Sequence, residues 1–272
     1  MNLAGFGVVV LVVYLLSEIW YLTYFISQKK ILQYFSSFSL SLGALLHFIY
    51  IILLQLDLHR LPLGTVYEVL VSATFLFVLL YLFLEFYIKE NSMGVIIVPM
   101  ILFLLAIALP GIDTDKTLAP QLTGLSFQIH VAFMLLAYSG FTLAFIASVM
   151  YLLLARDIHQ KRLGFFFSRI PSLELLDRLN SSAATLGFAF ATVGMCLGFW
   201  MGIELWGNAF PLDAKFISFV IIWFVYLFHL IARIKLGWRG ERSAWLSIVG
   251  FFFVLVTFLV VSFFLTTMHA YR

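Results

Sequence analysis

Two histidines stand at the ends of apolar runs and flank a Trp-Gly loop. His130 opens one run, His269 closes the last, and between them lies the stretch Leu205-Trp206-Gly207-Asn208-Ala209-Phe210-Pro211-Leu212-Asp213-Ala214-Lys215. Imidazole is basic enough to ligate iron and neutral enough to sit at a membrane boundary. Two imidazoles at one level could grip a single iron from opposite sides, and axial histidine is common in haem proteins. The loop supplies an indole and a phenyl ring, Trp206 and Phe210, that could pack on a porphyrin. Its Lys215 could pair with a propionate, with Asp213 close by. An aromatic belt at a membrane boundary would use the same residue types, so the loop alone is a weak signal.

His229 and His47 fall inside apolar runs, where an ionisable ring needs a partner and often marks function. At the rise of an α-helix, His229 lies roughly 8 Å from the inner end of its run and His47 roughly 18 Å from the inner end of its own. Two ligands of one iron should share a depth. His229 is therefore the better ligand candidate, and His47 suits a hydrogen bond to a neighbouring helix. His59 and His159 fall in polar loops as solvated bystanders. Glu18, Glu68 and Glu85 also lie in or near the runs, but in sequence they form no chain of groups that would pass a proton.

The elements that must position these groups are membrane helices. The chain is 64% hydrophobic and 11% charged, whereas soluble domains carry about a quarter charged residues. At about 20 apolar residues per crossing, the runs divide into eight spans near residues 4–27, 35–56, 66–88, 93–110, 125–154, 183–203, 214–234 and 244–268. This predicts an all-α integral membrane protein, a single polytopic membrane domain over residues 1–272, with both termini on one side. Lys29, Lys30, Lys89, Arg156, Lys161, Arg162, Arg169, Arg178, Arg233, Lys235, Arg239 and Arg242 share one set of loops; Arg60, Lys116, Lys215 and Arg272 share the other. That asymmetry puts the first set in the cytoplasm and both termini outside. His130 and His269 then face outward.

The net charge of +3 follows loop position and gives no nucleic-acid footprint. The one cysteine, Cys196, excludes an internal disulfide and a CxxC motif. The first apolar run shows no small-residue cleavage site and reads as a retained span. Residues 169–180 alternate leucines at helical spacing with Glu174, Asp177 and Arg178, which predicts an amphipathic helix on the inner membrane surface, with Pro171 in its first turn.

Several stretches carry a resemblance. They are PLGTVYEVL from Pro62, HVAFMLLAYSGFTLAF from His130, RIPSLELLDRLNSSAATLGF from Arg169, and LWGNAFPLDAK from Leu205, followed by WFVYLFHLIAR, GWRGERSAWLSIVGF and MHAY. In their order they resemble the cytochrome c assembly protein family, the haem-handling membrane proteins of CcsA and CcmC type, with HemX-like and YpjD-like members. The likeness is concentrated in a CcsA-like core from about residue 60 to 272 and is loose over the first two spans.

The resemblance implies non-covalent haem b at the external face, with His130 and His269 as axial ligands. Trp206, Gly207, Asp213 and Lys215 match the surviving positions of the family's tryptophan-rich loop, and His229 matches its intramembrane histidine. It also implies a bacterial-type cytoplasmic (inner) membrane, a CcsB-like partner and an apocytochrome c. The chain would be at most the haem-presenting part of a synthase. The loop departs from the family pattern WGxxWxWDPKE. Phe210 and Leu212 replace tryptophans, and Ala214 and Phe216 replace proline and glutamate. This degeneracy resembles the HemX-like branch, whose members would regulate haem synthesis without attaching haem to cytochrome c. A small-molecule transporter unrelated to haem is the other rival, disfavoured by the lack of internal repeats.

Overall fold

Turn-forming residues interrupt the apolar runs, and the helices break there. The computed structural model describes residues 3–114, 124–161, 164, 169–206 and 214–257, with backbone alone at 205, 206, 214 and 215. In chain order the helices are α1 (Leu3–Ser27), α2 (Lys30–Leu58), α3 (Val66–Ile88), α4 (Gly94–Ala108), α5 (Leu125–His159), α6 (Leu173–Trp206), α7 (Ala214–Lys235) and α8 (Glu241–Val256), with a 3-10 turn at Leu109–Gly111 after α4. No strand occurs among the described residues. Seven of these helices, α4 taken together with its 3-10 turn as Gly94–Gly111, are long and apolar enough to cross a membrane, so the chain is a multi-pass membrane protein. The described part of α8 has 16 residues, fewer than a crossing needs.

The helices fall into two compact units, α1–α4 and α5–α8. In the first, α1 packs along α2 and α4, and α3 packs on α2 and α4. Their contact is lined with polar side chains. Tyr21 on α1 donates to Glu85 Oε2 on α3 at 2.6 Å, and Ser37 on α2 donates to Glu85 Oε1 at 2.5 Å. Each such pair replaces a hydrogen bond that the lipid cannot offer. At the start of α3, Thr65 caps the helix by accepting from the Glu68 backbone N–H. The Glu68 carboxylate takes both Nη groups of Arg60, at 2.5 and 2.9 Å, and the Gly64 N–H at 2.9 Å. The PLGTVYE stretch is thus a charge-locked helix entry, with Glu68 fully buried.

In the second unit α5 and α6 run antiparallel in close contact. Small residues make this possible, as they do in many membrane helix pairs. A Cβ added at Gly140 of α5 would lie 2.7 Å from Gly187 Cα and 2.8 Å from the Ala183 carbonyl oxygen of α6, so the two backbones touch there. Helix α8 returns along α5, with Phe145 stacked on Phe251 at 4.4 Å. Tyr226 of α7 stacks on Phe141 of α5 at 3.7 Å.

One expectation changes. Residues 173–180 are not a separate surface helix but the first turns of α6, continuous with its apolar part. Leu176 and Leu179 are buried in the unit. Pro171 precedes the helix, and Ser172 Oγ accepts the Leu175 N–H at 3.3 Å as its N-terminal cap. The leucines that suggested a membrane-surface face are a helix-packing face, because Asp177 and Asn180 on the same turns have protein partners.

Candidate functional site

His130 sits on the second turn of α5 and leans on α6. Its Nδ1 lies 2.8 Å from the Gly194 carbonyl oxygen. A carbonyl can only accept, so Nδ1 carries the proton and Nε2 holds the lone pair. A backbone carbonyl fixing the far nitrogen in this way is the usual support of a metal-ligating histidine. The close approach depends on a second glycine one turn later. A Cβ at Gly198 would fall 2.9 Å from His130 Cε1 and 3.2 Å from its Nδ1. Gly198 makes room for the ring and Gly194 supplies the carbonyl that orients it, a pair legible in sequence only as a GxxxG spacing inside an apolar helix.

His229 lies at the opposite end of the same unit, among α6, α7 and α8. It is 1% exposed. Its Nε2 is 3.0 Å from Ser243 Oγ and 3.4 Å from Ser247 Oγ. Ser247 donates to Asn180 Oδ1 at 2.6 Å, and Asn180 Nδ2 donates to Ser243 Oγ at 3.3 Å. Below this ring of amides and hydroxyls, Asp177 accepts both Nη groups of Arg233, at 2.8 and 3.0 Å, and the Gly240 N–H at 2.9 Å. Arg233 Nη1 also reaches Ser243 Oγ at 3.4 Å. Bidentate, charge-assisted bonds of this kind hold geometry as well as charge.

Ser247 gives its one hydroxyl hydrogen to Asn180 and can only accept from Nε2–H, whereas Ser243 can accept from Nε2–H or donate to Nε2. His229 Nδ1 is buried and has no hydrogen-bond partner among the described residues. A buried polar atom in that condition calls for an explanation. With Nε2–H donated to the serines, Nδ1 would present a lone pair backed by a hydrogen-bonded second shell, which suits a metal ligand. The donor chemistry at both His130 and His229 therefore fits ligation of a haem iron. The two are separate positions. Measured along α6 from Asn180 to the Gly194–Gly198 turn, they stand roughly 21–27 Å apart.

His47 belongs to the other unit and is fully buried. Its Nδ1 is 3.1 Å from Tyr14 Oη, and its Nε2 has no hydrogen-bond partner among the described residues. Tyr14 and Phe75 present ring edges to it at 5.8 and 5.4 Å between centroids. The hydrogen bond to a neighbouring helix expected from sequence is this one to α1. His59 ends α2 in a left-handed conformation and is exposed, as is His159. His269, Gly207 and Asp213 lie outside the described residues, as do the side chains of Trp206 and Lys215.

Sequence reasoning missed Gly194, Gly198, Asn180, Ser243, Ser247 and the Asp177–Arg233 pair. A polar residue inside an apolar run was the available signal for Ser247 alone; Ser243, one turn before it on the same face of α8, and Asn180 lie just outside the runs.

The described helices thus make a multi-pass protein that sets imidazoles at two levels of one four-helix unit. The chain belongs to the family described as Cytochrome C assembly protein, which matches it over residues 63–269. It is similar to a protein named Cytochrome c biogenesis protein CcsA in Heterosigma akashiwo, 28% identical over 245 residues that cover 77% of this chain and 76% of the relative. The like-named protein of Mesostigma viride is 26% identical over 269 residues, covering 90% of this chain and 88% of its own length. That of Guillardia theta is 29% identical over 229 residues, covering 77% and 76%.

Proposed function

We propose that this protein acts in cytochrome c biogenesis by holding haem b non-covalently and presenting it at the outer face of a bacterial-type cytoplasmic membrane. Residues 1–272 act as one polytopic domain with eight spans and both termini outside. His130 and His269 are the axial ligands. Trp206, Gly207, Asp213 and Lys215 cover the porphyrin edge and meet its propionates. His229 serves an inner position through which haem passes, and His47 is a second, weaker inner candidate. Two imidazoles fill both axial positions of a haem iron, which suits delivery better than oxygen chemistry.

The observation that supports this reading most is the Nδ1–H bond of His130 to the Gly194 carbonyl, which holds Nε2 as the ligating nitrogen. The chain's own part is to bind and orient; attachment to an apocytochrome c would take place with a CcsB-like partner that delivers the apoprotein with reduced thiols. The test is an absorption spectrum of the purified full-length protein, with and without added haem, for wild type, His130→Ala and His269→Ala. A low-spin bis-histidine Soret band that is lost or shifted in both variants is the expected result. No haem in the wild type after loading would overturn the reading.

A HemX-type regulatory role is the second reading, favoured by the replacement of loop tryptophans by Phe210 and Leu212. Gene deletion separates the two. Loss of cytochrome c marks assembly, whereas normal cytochrome c with altered haem precursors marks regulation.

A further inference from the structure

A groove of about 550 Å³ runs between α5 and α8 at the basic end of the second unit. Its floor includes Leu152, Leu153, Trp245 and Ile248, and its rim carries Arg156, His159, Gln160 and Glu241. The residues are graded along the helix axes. On α5 the apolar positions precede the polar ones by one to three turns, and on α8 Glu241 precedes Trp245 and Ile248 by one and two turns. From His159 down to Val149, which also lines the groove, the drop is roughly 15 Å at the α-helical rise. That is about half the hydrocarbon thickness of a bilayer, or one leaflet. Helix α5, at 35 residues, spans roughly 52 Å, longer than the hydrocarbon of about 30 Å, and the polar residues Arg156, His159 and Gln160 lie in its last turns.

The rim carries both signs of charge. Arg156 has no ion-pair partner among the described residues. Across the groove the one ion-pair partner of Glu241 among the described residues is His159, at 3.9 Å, with both side chains exposed. Arg242, the next base on α8, is turned to the Trp238 ring, its guanidinium carbon 5.8 Å from the ring centroid. Trp245 is 57% exposed on the groove wall, in the position where indoles anchor at membrane interfaces.

We propose that this groove is a binding site for a phospholipid whose headgroup joins a phosphate to a primary ammonium, as in phosphatidylethanolamine. The phosphate sits between Arg156 and Gln160, the ammonium donates to Glu241, and one acyl chain lies along Leu152, Leu153 and Ile248. An anionic headgroup would satisfy Arg156 but bring its charge against Glu241. A choline headgroup has no N–H to give that carboxylate. The inference rests on the chain crossing a membrane and is independent of haem.

The test is native mass spectrometry of the full-length protein in detergent with phosphatidylethanolamine, phosphatidylcholine or phosphatidylglycerol of identical chains. Wild type is expected to retain phosphatidylethanolamine above the other two. Glu241→Gln should lower that retention about threefold, the scale of one interfacial ion pair, and leave phosphatidylglycerol unchanged or better held. Arg156→Gln should lower retention of both. Equal retention of all three lipids, preference for phosphatidylglycerol in the wild type, or insensitivity to either substitution would overturn the proposal. Both side chains are exposed, so neither change threatens folding, and a thermal melt of each variant checks this.

Discussion

Gly198→Ala separates ligand positioning from stability, because its two effects on folding nearly cancel. The new Cβ would stand 2.9 Å from His130 Cε1, whereas ordinary contact begins near 3.4 Å. The ring must withdraw by about 0.5 Å, and its 2.8 Å bond to the Gly194 carbonyl lengthens or bends. A hydrogen bond of this kind contributes about 1 kcal/mol net. Alanine in place of glycine in a helix returns about 0.8–1 kcal/mol. The melting temperature of the variant should therefore stay within a few degrees of wild type. Haem binding should not stay the same. Loss of the partner that orients a ligating histidine weakens a metal by roughly tenfold or more, so a Soret titration should show a tenfold weaker Kd and a less purely low-spin spectrum. Gly194→Ala is the control. Its Cβ would meet the flexible Met134 side chain, Sδ at 2.9 Å, which can move, so haem binding should be close to wild type. An unchanged Kd and spectrum in Gly198→Ala, with an unchanged melt, would refute the role of this glycine in aiming His130.

Three further outcomes follow from packing and charge. Gly140→Ala presses a methyl into the α6 backbone and should destabilise the α5–α6 pair by about 1–3 kcal/mol, less about 1 kcal/mol of helix propensity, seen as a lower melting temperature; an unaltered or raised melt would contradict the backbone contact. Asp177→Ala strands Arg233 and the Gly240 N–H at a partly buried site and should cost about 2–3 kcal/mol. A double-mutant cycle with Arg233→Ala should return most of that as coupling, and additive losses would show that the pair does not act as a unit. Glu68→Ala leaves the Arg60 guanidinium without its carboxylate at the start of α3, and should raise hydrogen exchange or protease cutting around residues 60–68 while leaving α5–α8 unchanged. Protection unchanged at that turn would rule out the charge-locked entry.

Much of the molecule was legible in one dimension. The third span was expected at 66–88 and α3 occupies Val66–Ile88, because Pro62, Gly64 and the capping Thr65 precede it and Lys89 ends it in a left-handed conformation. The α5 start at Leu125 also matched. The end of α6 nearest the basic loops was misjudged by about ten residues. There Glu174, Asp177, Arg178 and Asn180 broke the hydropathy pattern, although Asp177 and Asn180 are satisfied by groups more than fifty residues away in the chain. Hydropathy registers that a residue is polar and carries no information on whether another helix supplies its partner.

The same division holds at the site. Residue type alone set out the candidates, since so few imidazoles occur among so many apolar residues, and apolar length alone set out the helices, since lipid forces each backbone to satisfy itself within its own segment. Only the tertiary structure decided what each ring could do. It turned His130 onto the Gly194 carbonyl, brought Ser243 and Ser247 of α8 and Asn180 of α6 around His229, and set Tyr14 beside His47. Those arrangements depend on which helix faces meet, and that follows from glycines such as 140, 187 and 198, whose missing side chains matter only against a neighbour.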